Sequence, residues 1–441
     1  MSDKQVGTIQ IKLNLEGFEV AAIVDMCREA NSLINSAKYV VRQHFFNSGK
    51  PALVECEYES LDAEMKLLDN QSYRALYSQA AQRILRSVAA EFTSFNGLMK
   101  RFFQGEGERP SLPGYRKKGG LAPVTYPAQN LEFDLETGRV KLPLGKLVQS
   151  ETKGLLPELW IPGCAGIQPS QVIEVRILPR NGEFYAEYIY RQSTYRADVD
   201  FNNVLGIDPG LNNWLTCVSN VDKSFIVNGK QIKSWNQWYN KRVATLKEGQ
   251  PQGFWSPELA SITEKRNRQL RDAVNKTARF VLNWCLQHRI GTIVFGWNQR
   301  NKDGINIGSK NNQEFVLIPT ARLKARIQQL CEQYGLRFVE TEESYTSQAS
   351  FLDDDFLPIY GEKPATWKAS GKRGKKGDGL GRGQYQTASR VRINSDCNGA
   401  ANILRKVATQ LGLDLARVGR AVLTLPKRYG LDSLSKSYRK Q

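Results

Sequence analysis

The chain has 441 residues, with 62 Lys and Arg against 44 Asp and Glu, a formal net charge of +18 and a pI near 9.5. A hydrophobic fraction of 41% and a charged fraction of 24% argue against extended disorder, and no run approaches the roughly 18 apolar residues of a membrane-spanning helix. The charge excess calls for a polyanionic partner, and the length for several domains of about 100 to 200 residues each.

In chain order, TIQIKLN (8–14) alternates polar and apolar residues as a half-buried strand does. Two helical stretches follow, from about Val20 to Phe46 and from about Ser72 to Phe103, each with an apolar stripe at helical spacing. The texture changes at Gly105. RPSLPGYRKKGG (109–120) packs two prolines, three glycines and four basic residues into twelve positions and reads as a loop. Its Tyr115, Arg116, Lys117 and Lys118 suit a nucleic-acid backbone, cations on phosphate and the ring on a base or sugar; a linker kept soluble by charge is the alternative. Short β-like runs come next, LEFDL, GRVKLP, VIEVRILP and FYAEYIYRQ, the last two joined at the hairpin signal Asn181-Gly182. With the first strand they are expected to close a small barrel interrupted by the helices.

From Val204 three short strands (VLGID, WLTCVS, SFIVNG), a helix from about Pro257 to His288, the strand GTIVFGWN, a helix from Thr320 to Tyr334 and the strand LRFVET follow one another. This is the order of a ribonuclease-H-like α/β domain. Lys363 to Arg392 carries nine basic residues, one acid and six glycines and reads as a mobile basic loop, with Lys372, Arg373, Lys375 and Lys376 as backbone contacts. The last 30 or so residues read as a weakly structured basic tail.

Chemistry rests on carboxylates, because only two histidines exist, His44 and His288. Seven cysteines lie far apart with no CxxC pair, which argues against a disulfide scaffold and a zinc ribbon. Asp208 ends a strand and precedes Pro209-Gly210, so a rigid element presents it; a plain turn is the alternative. Asp396 stands where a short extended run becomes a helix, with helix capping as its alternative role. A two-metal phosphodiester site needs a further acid. At the end of the central strand the chain has Gly296 instead, and the nearest Asp, Asp303, is seven residues on.

IDPG (207–210), ESYTSQ (343–348) and NSDCNGAANIL (394–404), in that order, resemble the TnpB family, the RNA-guided endonucleases of insertion sequences related to type V CRISPR effectors. QAAQRILRSV and the PGYRKKGG loop are similar to its recognition and wedge regions. The resemblance implies a RuvC-like nuclease domain whose Asp208, Glu343 and Asp396 hold two Mg²⁺ ions, Mn²⁺ being a possible substitute. The usual strand-end Glu is absent, and Glu343, with Glu342 next in line, stands in for it as in a subset of the family. The zinc ribbon is also absent, and no structural zinc is expected. Asp353, Asp354 and Asp355 in the replacing segment read as a solvated turn, with cation binding the alternative.

The expected fold class is therefore α/β with β-barrel and helical parts: a wedge-like barrel (1–16 and 105–200), a helical recognition domain (17–104), a RuvC-like nuclease domain (201–348 and 391–410), a basic Gly-rich insert (349–390) and a basic tail (411–441). The expected function is RNA-guided cleavage of DNA, the partners being a guide RNA encoded near the gene and a target DNA with a short flanking motif. The expected location is the cytoplasm, at the nucleoid, with no membrane. The alternatives are a nuclease-dead guided binder and an RNA-independent DNA transposase.

Overall fold

The computed structural model describes residues 6–50, 52–151, 158–298, 318–375 and 377–438. The chain forms two units, Met1–Gln192 and Ser193–Gln441.

In the first unit the strands read as a wedge barrel form two antiparallel sheets. One has the order Val6–Lys12, Glu183–Arg191, Val172–Arg180, Val124–Pro127; the other joins Glu132–Asp134, Arg139–Leu142 and Leu159–Pro162. The hairpin at Asn181-Gly182 is present, and both residues have positive φ, 49° and 80°, as a tight turn between twisted strands requires. The helix Phe18–Asn47 matches its apolar period, but the second helical stretch is divided. Tyr58–Leu67 precedes it, and the backbone is extended at Leu76 between Gln71–Ala75 and Ser78–Phe103. The apolar period runs through that break because Tyr73, Leu76 and Ala80 are all buried in the same core. Helices and sheet share this core; Tyr126 of the sheet, fully buried, donates to Met26 Sδ on the first helix at 3.1 Å.

The second unit is built on a six-stranded sheet in the order Arg337–Thr341, Ile290–Gly296, Asp200–Pro209, Asn213–Ser219, Ser224–Asn228, Lys427–Tyr429. The first three strands are mutually parallel and the next two run as an antiparallel meander. The last strand lies in the segment expected to be a weakly structured tail. Lys427–Tyr429 instead pairs in parallel with Phe225–Val227, and the following helix Leu431–Tyr438 buries Leu431 and Leu434. Three residues pairing at a sheet edge carry too short a pattern to be read as a strand in advance.

Strand parity sets the two faces of this sheet. Leu205, Ile207, Ile293 and Phe295 join the core beneath the helices Pro257–Gln287 and Thr320–Tyr334. Val204 and Val294 face the opposite way, onto Ile403, Leu404 and Val407 of the helix Ser395–Leu411. Gly206 shares that second face. A Cβ there would stand 2.6 Å from Leu404 Cγ and 2.7 Å from the Ala400 carbonyl oxygen, so glycine is what lets the helix approach. Gly206→Val is therefore expected to destabilise the protein by about 1–3 kcal/mol through overpacking, read as a lower urea midpoint; an unchanged midpoint would remove this contact from the account of the fold.

Candidate functional site

Asp208 follows Val204 and Gly206 on the face covered by the helix Ser395–Leu411, and Asp396 lies in that helix's first turn. Their closeness depends on a second glycine. Gly399, one turn into the helix, faces Asp208, and a Cβ on it would come within 2.6 Å of Asp208 Oδ2. Asp396 is not the helix cap. Asn394 takes that role, its Oδ1 accepting from the Asp396 and Cys397 amides at 3.0 Å each. The Asp396 carboxylate is thereby left for tertiary contacts, accepting from Arg373 at 2.7 Å on Oδ1 and from Asn213 Nδ2 at 2.6 Å on Oδ2.

The third acid reaches the same place from the neighbouring strand. Gly296 pairs with Thr341, and the chain turns just beyond it. Asn298 holds that turn at both ends of one residue: its Oδ1 accepts from the Glu343 amide at 3.0 Å, and its Nδ2 donates to Glu343 Oε1 at 3.3 Å. Asp208, Glu343 and Asp396 then line one cavity of about 400 Å³, together with Asn213, Asn298 and Arg373. Glu342 points elsewhere, into an ion pair with Lys406, whose Nζ also donates to the Pro358 carbonyl at 3.2 Å. Glu340 is paired with Lys324 at 2.7 Å. Of the three acids in ETEES, Glu343 alone faces the cavity.

Gly296 explains why a carboxylate is not found on the central strand. A Cβ there would lie 2.5 Å from Cδ1 and 3.2 Å from Cγ1 of the fully buried Ile403. A Glu at 296 would push its carboxylate into the apolar layer beneath the helix, at the cost of burying a charge. Asp303, expected to be too far along the chain to take its place, lies outside the described residues.

The electrostatics of the cavity are strained by like charge. Burial pushes the Asp208 carboxyl well above the ordinary carboxylate range, and the neighbouring Glu343 and Asp396 push it further, while Arg373 acts in the opposite sense. No hydrogen-bond donor reaches Asp208 among the described residues. Among those residues no three acids, histidines or cysteines are drawn tightly enough to grip one ion. The chemistry of the donor set nonetheless suits a hard divalent cation: three carboxylates face one cavity, and one of them, the half-buried Asp208, has no donor among the described residues.

The basic Gly-rich segment contains regular structure, where a mobile loop was expected. Lys372–Arg373, Gln384–Gln386 and Arg392–Asn394 form a small antiparallel sheet that buries Tyr385, whose hydroxyl donates to the Gln348 carbonyl at 2.8 Å. The segment SFLDDDFLP is a turn at 351–354 with Asp354 exposed, as expected, while the flanking Asp353 and Asp355 are also anchors of this fold. Asp353 Oδ2 accepts from the Ala388 amide at 2.8 Å and the Ser370 hydroxyl at 3.1 Å. Asp355 Oδ2 accepts from the amides of Ser350 and Ser370 at 2.7 and 3.1 Å, and Asp354 pairs with Arg405 at 3.0 Å. Burial raises the Asp353 carboxyl, but bonds from Ser350, Ala388 and Ser370 outweigh it and hold the group below its usual range. A sequence window cannot show these pairings because the partners lie up to 51 positions away.

Of the residues read as backbone contacts, Lys372 and Lys375 are exposed, Arg373 lines the acidic cavity, and Lys376 lies outside the described residues. The PGYRKKGG loop is pinned along the first helix. Asn31, Asn35, Lys38 and Arg42, on one helical stripe, donate in turn to the carbonyls of Lys117, Arg116, Gly114 and Pro113 at 3.0 to 3.1 Å. Arg116 is committed within the protein, to Asn31 Oδ1 at 2.9 Å and the Leu121 carbonyl at 3.2 Å, whereas Tyr115, Lys117 and Lys118 remain exposed. Asn213, Asn298 and Asn394 went unread in the sequence; Asn298, two residues beyond a strand that ends in Gly296, was the one with a positional signal.

A family model described as OrfB_IS605, probable transposase, matches residues 187–302, which hold Asp208 and Gly296 and stop short of Glu343 and Asp396. Over that stretch, about a quarter of the chain, the sequence is similar to this transposase family. No curated protein matches it. Among solved structures, a Cas12f1–sgRNA–target DNA complex is similar at 14% identity over 88% of this chain and 82% of that chain, with a TM-score of 0.51. The mini-RNA-guided endonuclease CRISPR-Cas phi3 is similar at 10% identity over 91% and 92%, with a TM-score of 0.44. At such identity the likeness to the Cas12f1 complex is one of fold, and it agrees with the ribonuclease-H-like order of strands and helices.

The different settings of the two neighbouring glutamates predict opposite stability effects. Glu343→Gln relieves repulsion at Asp208 and is expected to be neutral or stabilising by about 1 kcal/mol. Glu342→Gln leaves Lys406 without its charge partner and is expected to cost about 1–3 kcal/mol. Thermal unfolding of the two single variants checks this; the reverse order would exchange their roles.

Proposed function

We propose that the protein is a guide-RNA-directed DNA endonuclease whose phosphodiester hydrolysis takes place in the cavity lined by Asp208, Glu343 and Asp396. The observation that carries this reading is the convergence of three acids, remote in sequence, on one cavity where burial and the neighbouring Glu343 and Asp396 disfavour the charged form of Asp208. Asp208, Glu343 and Asp396 would hold divalent magnesium, two ions being the reading, and when bound there such ions supply an activated water and stabilise the leaving oxygen. Within the chain, Asn298 orients Glu343 and Asn213 orients Asp396, while Arg373 offsets part of the negative charge of the cavity. The same guanidinium faces the space where a phosphodiester would lie.

Recognition of nucleic acid is assigned to the first unit. Base pairing with a guide supplies sequence specificity in such systems, and the protein reads shape, charge and a short flanking motif. A second cavity, about 600 Å³, is lined by Gln79, Gln82, Arg83, Arg86, Gln129 and Arg191 among others. Glutamine amides and arginine guanidinia are the groups that read adenine and guanine edges in the major groove, so this cavity is assigned to the flanking motif. Among the described residues no helix is long and apolar enough to cross a membrane; the proposed location is with nucleic acid inside the cell.

The test is cleavage of a matched target by guide-loaded protein, with Mg²⁺ or EDTA. Asp208→Ala, Asp396→Ala and Glu343→Gln are each expected to lower cutting by at least about 10²-fold while target binding persists, whereas Glu342→Gln keeps cutting below its own unfolding temperature. Binding without cutting by the unaltered protein would make it a nuclease-dead guided binder, and normal cutting by Glu343→Gln would displace the third acid.

A further inference from the structure

Between the first helix and the PGYRKKGG loop lies a cavity of about 600 Å³ that plays no part in the reading above. Its size is within the roughly 300–1,000 Å³ of pockets that enclose small ligands. Its walls are aromatic and apolar: Tyr39 and Tyr115, 55% and 51% exposed, with the exposed Leu68 and the buried Val40 and Met65. Large aromatic side chains left this exposed on an ordered surface mark a contact site.

Three features narrow the occupant. The surroundings are basic, since Lys118 and Arg116 line the cavity and Lys117 follows on the same loop. The aromatic walls are held open before any ligand arrives. The loop main chain is tied to four helix side chains, and Arg42, fixed on the Pro113 carbonyl, packs 5.0 Å from the centre of the Tyr115 ring. Arg42 does not line the cavity, so the ring presents to it a surface that the guanidinium leaves uncovered. Lastly, the rim carries hydrogen-bonding groups without partners among the described residues: Nδ2 of Asn70, whose Oδ1 is taken by the Tyr73 amide, and the hydroxyls of Ser32 and Ser36.

We propose that this cavity receives one unstacked nucleobase of a single-stranded nucleic acid, stacked on Tyr115 beside Tyr39, with its flanking phosphates on Lys117 and Lys118. Bases within a duplex are paired and stacked and cannot enter such a site, whereas an unpaired base offers the flat apolar faces and polar edge that these walls and this rim accept. Because the loop is already fixed, little ordering cost accompanies binding. The hydroxyls both donate and accept, so discrimination among the four bases is weak. The inference rests on the reading of the first unit as a nucleic-acid binder, and it is independent of cleavage.

The experiment titrates the full chain, freed of copurifying nucleic acid, with a short single strand carrying one fluorescent adenine analogue, made as RNA and as DNA. Each is compared with a twin that lacks that one base. The fluorescence is expected to be quenched on binding, and the abasic twin to bind about 5- to 150-fold more weakly, the range for one base–aromatic stack. Tyr115→Ala should reproduce that loss on the intact strand and add nothing further on the abasic twin, and Tyr115→Phe should restore binding. The tighter of the RNA and DNA arms identifies the source of the base. Equal affinity for intact and abasic strands overturns the proposal, as does an equal loss on both strands with Tyr115→Ala. Unchanged affinity with altered sedimentation in Tyr115→Ala also overturns it, in favour of a protein partner. A protein that shows the expected quenching but never cuts a target removes the nuclease reading alone.

Discussion

The close seating of the helix Ser395–Leu411 on the central strands is the constraint from which the site follows. Gly206 and Gly296 lack side chains where Leu404 and Ile403 descend, and Gly399 lacks one where Asp208 rises to meet the helix. Three glycines on two sides of one interface bring a strand-borne carboxylate and a helix-borne carboxylate to the same cavity. Each buried Ile or Leu in the layer contributes about 1.5–3 kcal/mol, and that packing is what sustains the repulsion between the acids. The same packing determines what the site cannot contain. With Ile403 beneath position 296, the central strand has no room for a glutamate, and the third acid is supplied from the turn beyond the adjacent strand.

Around the acids, the structure divides labour between orienting amides and a single guanidinium. Asn213 and Asn298 fix Asp396 and Glu343, and Asn394 relieves Asp396 of capping. Arg373 is delivered to the cavity by the small sheet of the insert, which Asp353, Asp354 and Asp355 pin through hydrogen bonds and an ion pair. A hydrogen-bonded scaffold of carboxylates and a buried tyrosine thus holds this segment together.

Much of this was legible in the sequence where the signal is local. The three strands, helix, strand, helix, strand order, the Asn181-Gly182 hairpin, and Asp208 before Pro209-Gly210 all lie within a few residues of their cause. Glu343 was legible only through the resemblance to a family subset with a Glu before YTS, and its separation from Glu342 was not, because it depends on Lys406, 64 positions away from Glu342. Arg373 was read as a phosphate contact since a run of basic residues and glycines carries no record of an Asp396 partner. The edge strand Lys427–Tyr429 and the anchors Asp353 and Asp355 were missed for the same reason: their partners are set by tertiary register rather than by neighbours in sequence. The division of the second helical stretch at Leu76 escaped because both pieces bury one continuous apolar face.

The central claim is that Asp208, Glu343 and Asp396 together form a divalent-cation site. Anomalous diffraction from crystals soaked in Mn²⁺ addresses it without reference to cleavage or to any guide. Density between these three carboxylates is the predicted result; density confined to the Asp353–Asp355 segment, or none at all with the ion in excess, would contradict it.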